Sequence, residues 1–163
     1  MIRLKKHFLL FIINHFLTGT HAFKLKRAIL NCIPGVDIGL GTKIVGPIRI
    51  DGFLSVGQNT WIGHDFCVEG NGNVLIGDRC DIAPCVMCFT GSHKIGEHER
   101  RAGEGVSGSI QIGDGCWIGA SSKILLNKKI GAGSVVAAGA VITKDVEEDS
   151  LAGGIPASTI RKL

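Results

Sequence analysis

Aliphatic residues return at every sixth position along most of this chain. They stand at Ile38, Ile44, Ile50, Val56, Ile62 and Val68. After a two-residue slip the series continues at Ile76 and Ile82, with Cys88 in the third place. It resumes at Ile112, Ile118, Ile124, Ile130, Val136 and Ile142. A helix asks for apolar positions at i, i+3, i+4 and i+7, and a long strand asks for strict alternation, so neither produces this spacing. Six residues suit a short strand plus a tight turn. Three such units close a triangular coil of about 18 residues, and stacked coils form a solenoid in which each aliphatic side chain points inward onto its equivalent in the next coil. The pattern predicts an all-β solenoid of about five triangular coils over residues 34–147.

The residues between the aliphatics fit the same geometry. Glycine follows the aliphatic at Gly39, Gly57, Gly63, Gly77, Gly113, Gly119 and Gly131. Four residues after the aliphatic comes mostly a small or apolar side chain, as at Thr42, Thr60, Phe66, Cys80, Val86, Cys116, Ser134 and Ala140. Asn59, Asp65, Gly115, Gly133, Gly139 and Asp145 share one turn position, where residues tolerant of left-handed backbone collect. This register turns Cys80, Cys88 and Cys116 inward and puts Cys85 at a turn. The Cys85–Cys88 pair therefore does not converge on one point as a metal or redox CxxC would, and no metal is expected. Lys128 falls at a position that should be small or apolar, where its stem would snorkel to the solenoid's edge.

Residues 1–33 lie outside the repeat and read as a helical cap. The start, "MIRLKKHFLLFIINHFLTGTHAF", imitates a signal peptide. Its apolar run is interrupted by Asn14 and His15 and falls far short of the roughly 20 residues that span a bilayer. A largely apolar helix, packed on the body or resting on a membrane surface, fits better than a cleaved signal. Residues 1–30 hold six basic groups (Arg3, Lys5, Lys6, Lys24, Lys26, Arg27) and no acid, which would favour anionic lipid. The remainder, with 12 basic groups against 14 acidic, is mildly negative and has no basic patch for nucleic acid. The 24 glycines in a chain that is 45% hydrophobic indicate tight turns rather than disorder. Six cysteines that form no disulfide framework suit a reducing, cytoplasmic setting, with peripheral contact at the inner membrane as an option.

The rhythm fails once, in "FTGSHKIGEHERRAGEGVSGSI". Position 94 should be aliphatic and is Lys94, and residues 94–109 carry charge and glycine until Ile112 restores the pattern. An excursion of this length in a compact repeat is uncommon without a purpose. It reads either as a flap over an active site, opening on His93, or as an idle surface insertion. Two tempting motifs fail here. Gly103, Gly105 and Gly108 fit GxGxxG but follow no strand of a βαβ unit. His93 and His98 are five apart on a glycine-bearing loop, not four apart on a helix.

The stretches "IGDGCWIGASSKIL", "IGAGSVVAAGAVITKDV" and "LAGGIPASTIRKL", with the "TGSH" turn upstream, resemble the hexapeptide-repeat acyltransferases, specifically their sugar O-acetyltransferases. The resemblance covers about residues 34–163 and implies a left-handed parallel β-helix with residues 148–163 as a C-terminal cap. It implies acetyl transfer from acetyl-CoA to a sugar hydroxyl of a surface polysaccharide or its precursor. His93 would be the general base, and Trp117 would help form the site, with a nearby backbone N–H for the oxyanion. Ala120, Ala138, Thr143, Lys144 and Arg161, with Lys162 as an extra cation, match the cofactor groove. His64 and Asp65 fall near the acceptor-binding position, where His64 replaces the asparagine of the galactoside enzymes. The resemblance also implies a homotrimer with sites between subunits. Serine O-acetyltransferase is the rival within the family, although its "GGTG" and "RHP" segments are missing. A non-catalytic solenoid that binds a partner is the alternative from another class.

Overall fold

A computed structural model describes residues 2–163, with side chains described from Leu4 onward. Two helices, α1 (Ile2–Phe16) and α2 (Phe23–Leu30), precede a stack of parallel coils. The first coil is β1 (Val36–Ile38), β2 (Lys43–Ile44) and β3 (Ile48–Ile50), and the second is β4 (Phe53–Val56), β5 (Trp61–Ile62) and β6 (Phe66–Glu69). The third is β7 (Asn73–Ile76), β8 (Asp81–Ile82) and β9 (Met87–Phe89). A hairpin of β10 (Gly91–Ile95) and β11 (Ala102–Ser107) interrupts the stack. The fourth coil is β12 (Ser109–Ile112), β13 (Trp117–Ile118) and β14 (Lys123–Ile124), and the fifth is β15 (Lys129–Ile130), β16 (Val135–Val136) and β17 (Val141–Ile142). β18 (Ser150–Gly154) and β19 (Ala157–Lys162) close the chain.

The strands build a three-sided prism. β1, β4, β7, β12 and β15 form its first face, and β3, β6, β9, β14 and β17 its third. The second face runs β2, β5, β8, β13, β16 and β18, with β19 antiparallel at its end. The stack is thus about six turns rather than five: Val146 bridges to Ile130, and Val135 and Val136 pair with Leu151 and Ala152 to begin a sixth coil. The register is what the six-residue period dictates. Ile38 lies on Val56, Val56 on Ile76 and Ile76 on Ile112, and all four are buried.

Two backbone requirements explain the residues at the corners. Glycine follows the inward aliphatic because coils pass closely there. A Cβ on Gly39 would lie 2.5 Å from the Gly57 carbonyl oxygen. Three residues after the aliphatic the backbone is left-handed, with φ of 55° at Asn59, 57° at Asp65 and 66° at Gly115. Arg79, Cys85, Ser121 and Asn127 adopt the same φ, while Asp145 does not. Along the edge between the first and second faces runs a buried polar spine. Thr42, Thr60, Cys80, Cys116 and Ser134 donate to the carbonyls of Gly57, Gly77, Gly113, Gly131 and Glu147 at 2.7–3.1 Å, so these inward polar groups satisfy backbone oxygens of the next coil. The bond between Cys80 and Cys116 splits the two thiols: Cys80 is brought down to about 7 by its hydrogen bond with Cys116. Cys116 is pushed above the ordinary thiol range by its bond with Cys80 and by desolvation, and Cys88 by desolvation. Lys128 is half-buried, as snorkelling requires.

The helices cap the first coil. Ile13 and Leu30 are fully buried in the common core. Asn14 imitates a strand: its amide donates to the Ile48 carbonyl and accepts from the Ile48 N–H, both at 2.9 Å. Lys26 is buried and donates to the carbonyls of Gly19 (2.6 Å) and Val45 (3.0 Å).

Candidate active site

The excursion is an ordered antiparallel hairpin rather than a loose loop. It leaves the prism at the corner between the third and first faces, between β9 and β12. Its base is seated on Gly70 of the coil above, where a Cβ would lie 2.7 Å from the Gly91 nitrogen. Gly91, Ser92 and His93 pair with Ser107, Val106 and Gly105, and a bulge follows between His93 and Ile95. The residue opposite His93 is therefore a glycine, at which a Cβ would meet nothing within 4 Å, so the imidazole has open space beside it. Its Nδ1 lies 2.9 Å from the Gly103 carbonyl. A carbonyl only accepts, so Nδ1 carries the hydrogen, and in the neutral ring the lone pair is on Nε2. The orienting group is thus a backbone oxygen, which no sequence pattern displays. Of the loop carboxylates, Glu104 is paired with Lys94 at 2.6 Å.

The remaining candidates are divided among places on the prism. Trp117 stands on β13 in the second face, between Asp81 and Val135, with 57% of its surface exposed. That face lies opposite the corner that carries His93. The N–H of Trp117 is spent on the Ser134 carbonyl at 3.0 Å and is not an oxyanion donor. Ala120 and Ala138 sit one coil apart at the corner between the second and third faces. Their neighbours Ser121 and Gly139 donate into the ladder, to Pro84 and Ala120, whereas among the described backbone bonds Ala120 and Ala138 donate to nothing. Two N–H groups one coil apart that make no backbone bond could serve the amide carbonyls of an extended ligand. Arg161 and Lys162 lie on β19 at the end of the second face. The Lys162 ammonium is already bonded to the Glu148 carbonyl and the Glu147 carboxylate, each at 2.9 Å, and it holds that carboxyl below its usual range. Thr143 and Lys144 follow β17 at the same corner as the hairpin, two coils on.

His64 and Asp65 occupy the second-to-third corner in the second coil, joined by a 2.7 Å contact from Nδ1 to the carboxylate. Cys85 lies beneath them, and one donor atom of each of the three falls within 4.8 Å of the others. Its arrival there could have been read from the repeat, because Cys85 holds the turn position of Asp65 one coil later. A depression of about 360 Å³ opens beside Asp65 and Cys85, lined also by Asn14, Arg49, Cys67 and Met87. A larger groove of about 1290 Å³ separates α1 from the coil edge, with Lys6, Phe11, His15, Arg49, Asp51 and Glu69 on its walls. Arg49 bridges Asp51 and Glu69 across its floor. Neither Arg49 nor the α1 wall was legible as part of a site, since they come together only when the helix docks.

A parallel β-helix with a histidine-bearing hairpin at one corner defines a class of protein, and comparison with known chains places it. Residues 109–144 match the family of bacterial transferase hexapeptide (six repeats). A hexapeptide-repeat-containing acetyltransferase of Vibrio cholerae superimposes with a TM-score of 0.88 at 30% identity, over 99% of this chain and 90% of that one. The same protein is known in complex with acetyl coenzyme A. A galactoside O-acetyltransferase of Escherichia coli is 34% identical over 117 residues, which cover 68% of this chain and 58% of that enzyme. The crystal structure of a polySia-specific acetyltransferase is 32% identical with a TM-score of 0.68, over 78% of this chain and 61% of that one. The chain spans between half and two thirds of the length of the curated relatives that it matches. It belongs to the hexapeptide-repeat acetyltransferases and folds, as they do, as a left-handed β-helix.

Proposed function

We propose that this protein transfers acetyl from acetyl-CoA to a hydroxyl of a sugar in a surface polysaccharide or its precursor, with His93 as general base. The observation that carries the reading is the exposed imidazole fixed through Nδ1 by the Gly103 carbonyl, which leaves Nε2 free of that bond. A sugar hydroxyl is a poor nucleophile at neutral pH. Nε2 takes its proton as the oxygen attacks the thioester carbonyl. The C–S bond then breaks, and the sulfur leaves with the proton returned from Nε2. Such base catalysis contributes about 10²–10⁴-fold. The acetyl-CoA complex of the Vibrio relative supports the donor, and the free N–H groups of Ala120 and Ala138 supply a surface for its amides. The polySia-specific and galactoside relatives support a saccharide acceptor. His64 and Asp65 are proposed to contact it.

A single chain does not gather these parts. His93 leaves one corner, while Trp117 and the Ala120–Ala138 column lie on the opposite face and its edge. We assign the complete site to the contact between neighbouring subunits of a trimer, one giving His93 and the next the groove. The 88% exposure of Ile95 beside His93 and the exposed indole of Trp117 supply apolar surface for such a contact. The test follows CoA release from acetyl-CoA by the wild type and His93→Ala, against hexoses, N-acetyl sugars, oligosaccharides and L-serine. Release that needs a saccharide and disappears in the variant is expected. Release with L-serine alone would move the protein to the rival reaction, and neither turnover nor CoA binding would sink the enzyme reading.

A further inference from the structure

α1 is apolar on two sides, and the prism uses only one. Leu9, Leu10 and Ile13 pack onto the core, and the Asn14 clamp fixes the rotation of the helix. The side facing away is then set by helical periodicity: Leu4 and Phe8 stand at i and i+4, and Phe11 and His15 at i+7 and i+11 lie at its margin, where they also wall the groove. Leu4 is 77% exposed, Phe8 62%, Phe11 48% and Phe16, at the flank, 69%. Leu25 on α2 adds another exposed apolar side chain. A helix face turned to water carries polar residues, so this stripe has an occupant. The surrounding charge identifies it. Lys5, beside the stripe, and Lys24 on α2 are exposed, residues 1–36 hold no acid, and the acids across the groove, Asp51 and Glu69, are both paired with Arg49. A second copy of the chain would press the same unbalanced cations together across the stripe. Anionic headgroups would neutralise them while the aromatic side chains enter the acyl boundary. At 15 residues α1 is about 22 Å long, too short to span, and no helix among the described residues is long and apolar enough to cross a membrane.

We propose that α1 lies in the plane of an anionic membrane surface, inserting Leu4, Phe8 and Phe11, with Lys5 and Lys24 on lipid phosphate, and so anchors the β-helix there. The test is co-flotation of the full chain with vesicles of phosphatidylcholine alone and of phosphatidylcholine mixed with phosphatidylglycerol. Wild type is compared with Leu4→Ser/Phe8→Ser and Lys5→Glu/Lys24→Glu, all four positions being exposed. The wild type should partition at least about tenfold more strongly to the anionic vesicles, and salt should weaken that binding. Each double variant should lose about tenfold while keeping its circular dichroism and its CoA affinity. Equal binding to both vesicles, or none, overturns the proposal. So does a serine variant that floats like the wild type but has a smaller oligomeric mass, because the stripe would then be a subunit contact. CoA affinity is read separately, so the anchor and the acetyl-transfer reading can fail independently.

Discussion

If each site takes His93 from one subunit and its cofactor groove from the next, two inactive variants should rescue one another. His93→Ala removes the base but leaves the groove intact. Ala138→Arg fills the groove from an exposed corner position and leaves the hairpin intact. In a closed trimer with head-to-tail contacts, every mixed ring of two variants has one interface where an intact His93 meets an intact groove. Mixed rings, isolated by two different affinity tags after co-expression, should therefore recover about one third of wild-type turnover. The His93→Ala parent alone should remain about 10²–10⁴-fold down, and the Ala138→Arg parent should lose CoA binding. The structural cost of both changes is small. The imidazole is exposed and makes one bond, to Gly103, and exposed substitutions of this kind stay within about 0.5 kcal/mol. Melting temperatures matching the wild type would confirm that only chemistry was altered. The assay is release of free CoA thiol with the acceptor found above. Mixed rings no more active than their parents would refute the shared site and would require the hairpin to reach Trp117 within one chain.

Other consequences of the structure are as readily measured. Thr60→Val keeps the side-chain volume but orphans the Gly77 carbonyl and the Cys80 N–H, which Thr60 Oγ1 now satisfies at 2.9 and 3.1 Å. At about 1–3 kcal/mol for each of the two groups, urea unfolding should show a loss of about 2–6 kcal/mol, and a loss below about 0.5 would contradict the polar spine. Burial lowers the pKa of Lys26 from 10.5, so between that lowered value and 10.5 unfolding takes up a proton. Stability should accordingly rise with pH across that window and level off above 10.5, and the rise should be absent in Lys26→Met. Of the six thiols, Cys32 and the half-buried Cys85 should react rapidly with a disulfide reagent in the native state, and Cys67, Cys80, Cys88 and Cys116 only on unfolding. Ile95→Asp should lower activity by weakening the proposed subunit contact while leaving the monomer's circular dichroism unchanged, because Ile95 is 88% exposed in its own chain.

The prism was legible because its rule is local. An inward aliphatic, a glycine where coils approach and a left-handed corner recur within six residues, so the register of Ile38, Val56 and Ile76 follows from spacing alone. The corner rule was only half readable. Asn59 and Asp65 advertise a left-handed backbone, whereas Arg79 and Cys85 are forced into it by the stack and look like ordinary residues. The sixth turn was missed for a related reason. Val146 and Ala152 keep the six-residue spacing, but Val146 is four residues from Ile142 and Ala152 is small, so the series seems to end at Ile142. The site was less legible still, because its parts are backbone or lie between elements. "GSHKI" and "AGEGVS" alternate without burying anything, which hides the hairpin. A two-stranded ribbon is marginal alone, and this one is held by its seat on Gly70. Histidine could be named because the repeat breaks beside it, whereas Gly103, which sets its tautomer, could not. The same division bears on the proposed mechanism. The prism, bonded coil to coil, holds Ala120 and Ala138 in place, and the imidazole proposed as base is carried on a two-stranded hairpin that leaves the stack. In the shared site proposed above, a neighbouring subunit that closes on the hairpin would both complete the site and steady the base within it.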